Sequence, residues 1–140
     1  MDGAWPVGAE VPWRGWVRRR RDSKAGLSFI HLHDVSCFEP IQVVAPGDLP
    51  NYDSEVLKLG AGCAIAVAGT VVASQGKGQS VEIAATRLQV MGWVDDPETH
   101  PIRQKRHTLE YMLGVDHLRQ RTSTPVALTR VRHSLSMSLP

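Results

Sequence analysis

WRGWVRRRRDSKAGLSFIHLHD, residues Trp13 to Asp34, starts as an apolar and basic run, breaks at Ser23-Lys24-Ala25-Gly26, and resumes as a second run ending at Asp34. Two such runs joined by a short glycine-containing turn predict a β-hairpin. Side chains alternate across a strand, so Ser28, Ile30 and Leu32 share one face while Leu27, Phe29, His31 and His33 share the other. Ile30 and Leu32 suit a core. Phe29 is left among histidines on the more polar face, beside four consecutive arginines, Arg18 to Arg21. An accessible aromatic ring stacks bases and guanidinium groups meet phosphates, which is the surface a single-stranded nucleic-acid binder needs. The plain alternative is a surface phenylalanine on an ordinary hairpin with a solvated basic turn, since singly exposed apolar side chains are normal.

The 140 residues suffice for one domain with its own core, plus an extension. With 42% hydrophobic and 21% charged residues, the composition is that of a globular chain and not of a disordered one. The net charge is only +2, so nucleic-acid contact has to come from local clustering and not from a global field. Cys37 and Cys63 lie far apart, each inside an apolar run; buried thiols in a reducing compartment are expected, with a single disulfide as the alternative. The start, MDGAWPVGAEVP, lacks the basic and apolar regions of a signal peptide, and no apolar run approaches the ~20 residues of a membrane span. A cytoplasmic chain without a membrane segment is the expectation.

In order along the chain, residues 1 to 10 read as a loose lead-in, followed by a first strand over Val11–Arg20. Val11, Trp13, Gly15 and Val17 fall in one phase of it and Arg14, Trp16, Arg18 and Arg20 in the other. Gly15 suggests a bulge or bend of the kind that small closed barrels use at corners. The second strand is Leu27–His33 and the third Phe38–Ala45. A helix is expected over Asp53–Leu59, with Asn51 or Asp53 as N-cap and Gly60 beyond its end. Cys63–Ala73 and Gln79–Trp93 form two more strands around a Ser74–Gly78 turn. Three strands, a short helix and two strands predict a mainly β OB-fold, a five-stranded Greek-key barrel; an SH3-like barrel or half a β-sandwich fits the same periodicity. After Val94 come a polar, double-proline linker, a helix over Arg103–Leu118, and a last helix opened by Thr124-Pro125. The last helix carries Val126, Leu128, Val131, Leu135 and Met137 with no evident partner.

Few patterns point to catalysis. Gly76-Lys77-Gly78 lacks the spacing of a phosphate loop and sits between strands. His31 and His33 have no third ligand near them, so no metal site is expected. Nothing around Cys37 marks a nucleophile, and Asp95, Asp96 and Glu98 read as solvated or capping groups. Gln42, between Ile41 and Val43, and Glu82, between Val81 and Ile83, are polar groups set into apolar strands. An amide and a carboxylate on one sheet face with Phe29 and Arg21 would form a platform that reads the Watson–Crick edge of an unstacked base.

GWVRRRRDSKAGLSFIHLHD, SCFEPIQVV, GTVVASQGKGQSVEI and HPIRQKRHTLEYMLGVDHLRQRT, in this order, resemble the N-terminal part of bacterial asparaginyl-tRNA synthetases. RDSKAG and KRHTLEY followed by HLRQRT separate the pattern from the aspartyl and lysyl enzymes, which share only the broader frame. The resemblance runs from about Val11 to the end. It implies an anticodon-binding OB domain over 1–94, a hinge over 95–106, and the first helices of a class II catalytic domain over 107–140. It further implies that Phe29 stacks the central anticodon uridine, that Arg21 and Gln42 contact that base, and that Glu82 borders the site. Arg18, Arg19, Arg20, Lys24 and Lys77 are expected to meet phosphates.

By the same resemblance the full-length enzyme is a homodimer that uses ATP and Mg2+ to join asparagine to its tRNA. The motifs that bind ATP and amino acid lie beyond this stretch, so the chain is expected to supply recognition without catalysis and to hold no cofactor. Gln120 stands where the family shows proline, and the final SMSLP departs from the usual continuation, which suggests a truncation, frameshift or fragment. The other readings are a stand-alone single-strand-binding module and an inactive interaction remnant.

Overall fold

Strand β1 (Glu10–Ser23) is long enough to serve two neighbours, and the rest of the barrel hangs on that. Its first half pairs antiparallel with β4 (Ala64–Ala73) and its second half with β2 (Leu27–His33). At Gly15, where the strand passes from one partner to the other, an added Cβ would stand 2.8 Å from the carbonyl oxygen of His33. Glycine is what allows that approach. The structure, a computed structural model, describes residues 6–74, 76, 78–103 and 105–139.

Beyond β2 the ladder continues antiparallel to β3 (Ile41–Pro46), parallel from β3 to β5 (Val81–Gly92), and antiparallel from β5 to β4. The barrel closes in the order β1-β2-β3-β5-β4, which is the OB-fold topology the strand order predicts. Closure through a parallel β3–β5 pair disposes of the half-sandwich reading. Inside lie Val11 and Val17 from β1, Ile30 and Leu32 from β2, Val43 from β3, Ile65 and Val71 from β4, and Ile83 from β5, all essentially without solvent contact. Each such side chain contributes about 1.5–3 kcal/mol relative to leaving it exposed. Ser28 is buried with them; it donates to Asp22 Oδ1 at 2.7 Å and accepts from the Tyr52 hydroxyl at 2.8 Å.

The segment between β3 and β4 departs from expectation. Where a helix over Asp53–Leu59 was expected, tight turns lead into a 3-10 turn, Val56–Lys58. Asn51 does not cap it: its side-chain amide donates to the Leu88 carbonyl at 2.9 Å, tying the connection to β5. The Val56 carbonyl accepts from the Arg20 guanidinium at 2.8 Å, so β1 supplies a donor at the other end. Val56 and Leu59 plug the barrel.

The third strand starts three residues later than expected. Pro40 has no N–H for the ladder, and residues 34–40 form a loop built on His33. The Val35 N–H donates to His33 Nδ1 at 3.2 Å, which leaves Nε2–H to donate to the Cys37 carbonyl at 2.9 Å. His33 is therefore buried, although alternation assigned it to the wet face. Cys37 is exposed, contrary to the expected buried thiol; Cys63 is buried, and both are free.

After β5 the chain turns through Asp96, whose carboxylate accepts from the Glu98 N–H at 2.9 Å. The expected helix over Arg103–Leu118 is two short pieces, α1 (Leu109–Gly114) and α2 (Asp116–Arg119), separated at Val115. Thr108 starts α1, accepting from the Tyr111 N–H at 3.2 Å, and so excludes residues 103–107 from it. Helix α3 (Ser123–Ser138) buries Val126 and exposes Leu128, Val131, Leu135 and Met137. Among the described residues no helix is long and apolar enough to cross a membrane.

Candidate nucleic-acid interface

Residues paired across neighbouring strands share a face, so the ladder register defines the outer surface of the barrel. One row runs Arg21, Phe29, Val44, Ala84 and Thr70 across β1, β2, β3, β5 and β4. The next runs Arg19, His31, Gln42, Glu82 and Val72. Sequence alternation alone predicts that Phe29, Gln42 and Glu82 point outward. The register adds that Gln42 and Glu82 are direct cross-strand partners, one row from Phe29.

The Arg21 guanidinium carbon lies 5.6 Å from the centre of the Phe29 ring, a cation–π distance. Val44 and Ala84 continue that row with small apolar side chains, leaving room beside the half-buried ring. In the second row, Gln42 Nε2 donates to Glu82 Oε2 at 3.0 Å, and Ser74 Oγ donates to the same oxygen at 3.2 Å. Two donors fix the carboxylate. They also orient the Gln42 amide with its amino group toward Glu82, which leaves its carbonyl oxygen as an acceptor. An aromatic face next to a fixed donor–acceptor set suits an unstacked base.

The basic run does not act as one patch. The register slips between Val17 and Arg19, and this bulge takes Arg18 out of the ladder and reverses the phase of the residues beyond it. Arg19 and Arg21 therefore join His31 and Phe29 on the outer face, while Arg20 pairs with Ile30 on the inner one. At the barrel end Arg20 is held by the Val56 carbonyl and by Asp22 at 3.2 Å. Arg18 is half-buried and 3.4 Å from His33 Nδ1; desolvation first, and then the charge of Arg121, hold its pKa below the ordinary value. Lys24 is exposed in the β1–β2 turn, and Lys77 lies outside the described residues.

The sequence profile of the tRNA anticodon family, described as an OB-fold nucleic acid binding domain, matches residues 11–91. The chain belongs to this family. It is 58% identical over 139 residues to an asparagine–tRNA ligase of Legionella pneumophila (strain Corby) and 55% to one of Yersinia pestis (strain Pestoides F). Each alignment covers 99% of this chain and 30% of the relative, so the chain spans about a third of the length of the curated relatives it matches. Among solved structures, the asparaginyl-tRNA synthetase of Pyrococcus horikoshii superposes with a TM-score of 0.78 over 94% of this chain and 31% of its own. At 24% identity that likeness speaks for the fold. A protein described as OBody NL8 bound to hen egg-white lysozyme aligns at 25% identity and TM-score 0.50, covering 62% of this chain and 98% of its own.

Two residues of the OB domain's outer face escape sequence reading. Ser74 holds the Glu82 carboxylate, and Gln79 donates to Ser74 Oγ at 3.2 Å, so the β4–β5 connection buttresses the second row. A serine and a glutamine in a glycine-rich turn carry no sequence signal for that task.

Proposed function

We propose that this chain is the tRNA-recognising part of an asparagine–tRNA ligase, with residues 1–94 as its anticodon-binding domain, 95–106 as hinge, and 107–140 as the first helices of a class II catalytic domain. The observation that carries the reading is the pair of outer rows in a chain of the tRNA anticodon family: Phe29 under Arg21, beside the fixed Gln42–Glu82 pair. The central anticodon uridine stacks on Phe29. Its N3–H donates to the Glu82 carboxylate, and Gln42 completes the hydrogen-bonded edge. A cytosine there presents a lone pair at N3, which faces the carboxylate without a proton and is rejected. Arg21, over the Phe29 ring, contacts that base, and Arg19 and Lys24 meet the flanking phosphates.

In the whole protein, recognition at this face precedes ATP-dependent attachment of asparagine to the tRNA, in a homodimer. Among the described residues no three His, Cys, Asp or Glu side chains are grouped so as to hold a metal ion. No step through Mg2+ is assigned to these residues.

The test is binding of the chain to an anticodon stem-loop with the asparagine anticodon GUU, against one whose central uridine is cytidine, at two salt concentrations. Preference for GUU at both salts is expected. Equal binding that fades with salt would leave only the arginines active and sink the base-reading assignment.

A further inference from the structure

Away from the Phe29 face, the linker folds back on the barrel end. The His100 ring lies against Gly62, which has φ +96°; a Cβ there would collide with the imidazole. Arg121, between α2 and α3, stacks its guanidinium 4.3 Å from the centre of the Trp16 ring. Between them is a cavity of about 70 Å³ lined by Trp16, Arg18, Gly62, His100, Arg103 and Arg121. It adjoins a cleft of about 920 Å³ that shares Arg18 and Arg103 and adds Lys105, Arg106 and His107. Among the described residues neither wall includes a carboxylate. Arg103 pairs with Glu98 at 3.0 Å, while no ion pair is formed by Arg18 or Arg121 among the described residues.

Two guanidinium groups held half-buried and near each other repel, and neither relieves the strain by losing its proton. The pKa of His100 is held below its usual value, first by desolvation and then by Arg121, as expected beside uncompensated positive charge. An oxyanion between the arginines reverses each of these costs, and the planar forks match its oxygens. Stacking on Trp16 sets the Arg121 fork in advance.

We propose that this junction is an oxyanion site whose ligand is a phosphate group, gripped by Arg18, Arg103 and Arg121 and separate from the Phe29 face. The cavity of about 70 Å³ admits a phosphate but no nucleoside, so what the three arginines grip is the anion itself. The phosphate comes from an RNA backbone or from a small phosphorylated molecule.

The test titrates inorganic phosphate into the full chain, with chloride holding ionic strength constant, and follows the His100 ring by NMR with His100→Gln as the assignment control. A saturable shift is expected, with the His100 pKa rising as phosphate binds. Arg121→Gln and Arg103→Gln should each weaken binding about tenfold, the loss of one charge-assisted contact. Arg103 is exposed enough that its replacement leaves folding intact. No saturable shift, or a shift that both variants retain, overturns the site. Repeating tRNA binding with and without phosphate separates the sources: competition assigns the phosphate to RNA, and phosphate binding without competition assigns it to a small molecule. The phosphate titration does not depend on base recognition, so it stands even if the anticodon assignment fails.

Discussion

The barrel and the C-terminal helices use similar apolar side chains in opposite ways. Ile30, Leu32, Val43 and Ile83 are sealed inside a closed sheet, whereas Leu128, Val131, Leu135 and Met137 of α3 stand more than half exposed. Helix α3 buries Val126 near its start, and farther along Arg130 donates to the carbonyls of Val35 and Ser36 in the loop after β2 and lies 5.2 Å from the centre of the Phe38 ring. A closed barrel completes its own core, so each strand adds burial to every other. Among the described residues no second layer covers this face of α3, so its apolar side chains there gain little by being helical. Stability therefore resides in the barrel, and the helical segment depends on it.

That contrast is open to attack at several points. Ile30→Ala should cost about 2–5 kcal/mol in urea unfolding, because the cavity has nowhere to collapse. Leu135→Ala should change stability by less than about 0.5 kcal/mol; comparable losses for the two would mean that α3 is part of the cooperative unit.

Phe29→Ala tests the outside of the barrel against its inside. It should weaken binding of the anticodon stem-loop by about 1–3 kcal/mol, the value of one stacked base, with the unfolding midpoint nearly unchanged. Unaltered affinity would remove Phe29 from the interface. Arg19→Gln should lower affinity about equally for all RNA sequences and reduce the slope of log affinity against log salt by about 1. Arg20→Gln should leave that slope unchanged, since Arg20 is bound to Val56 and Asp22, and should show its effect in stability instead.

The smallest effect concerns the junction. His100 in the fold titrates below the ordinary value near 6.5, so as pH falls below that value the unfolded chain takes up the proton first and the fold loses stability. The loss is modest because the ring is largely solvent-screened. His100→Gln should flatten the pH dependence of unfolding just below pH 6.5; an unchanged curve would place the acid sensitivity elsewhere.

Much of the barrel was legible in the residues. Period-two alternation over LSFIHLH put Ser28, Ile30 and Leu32 inside and Phe29 outside, and the strand order pointed to an OB-fold. Boundaries failed where single side chains made specific hydrogen bonds, near or far along the chain. Asn51 serves Leu88 instead of capping a helix, and Thr108 starts α1 later than the apolar pattern suggests. His33 defied its alternation because its two ring nitrogens organise the loop after β2.

The outward direction of Phe29, Gln42 and Glu82 followed from sequence alone, because a strand's side-chain period is a local property of its backbone. Three things were decided by the tertiary structure. The bulge at Arg18 splits the arginine run into outer, inner and junction members, since a one-residue slip in pairing reverses every face beyond it. The parallel β3–β5 register makes hydrogen-bonded partners of Gln42 and Glu82, 40 residues apart. Arg18 and Arg121 meet at the end of the barrel because barrel closure and the folded-back linker bring together charges that nothing in their own neighbourhoods relates.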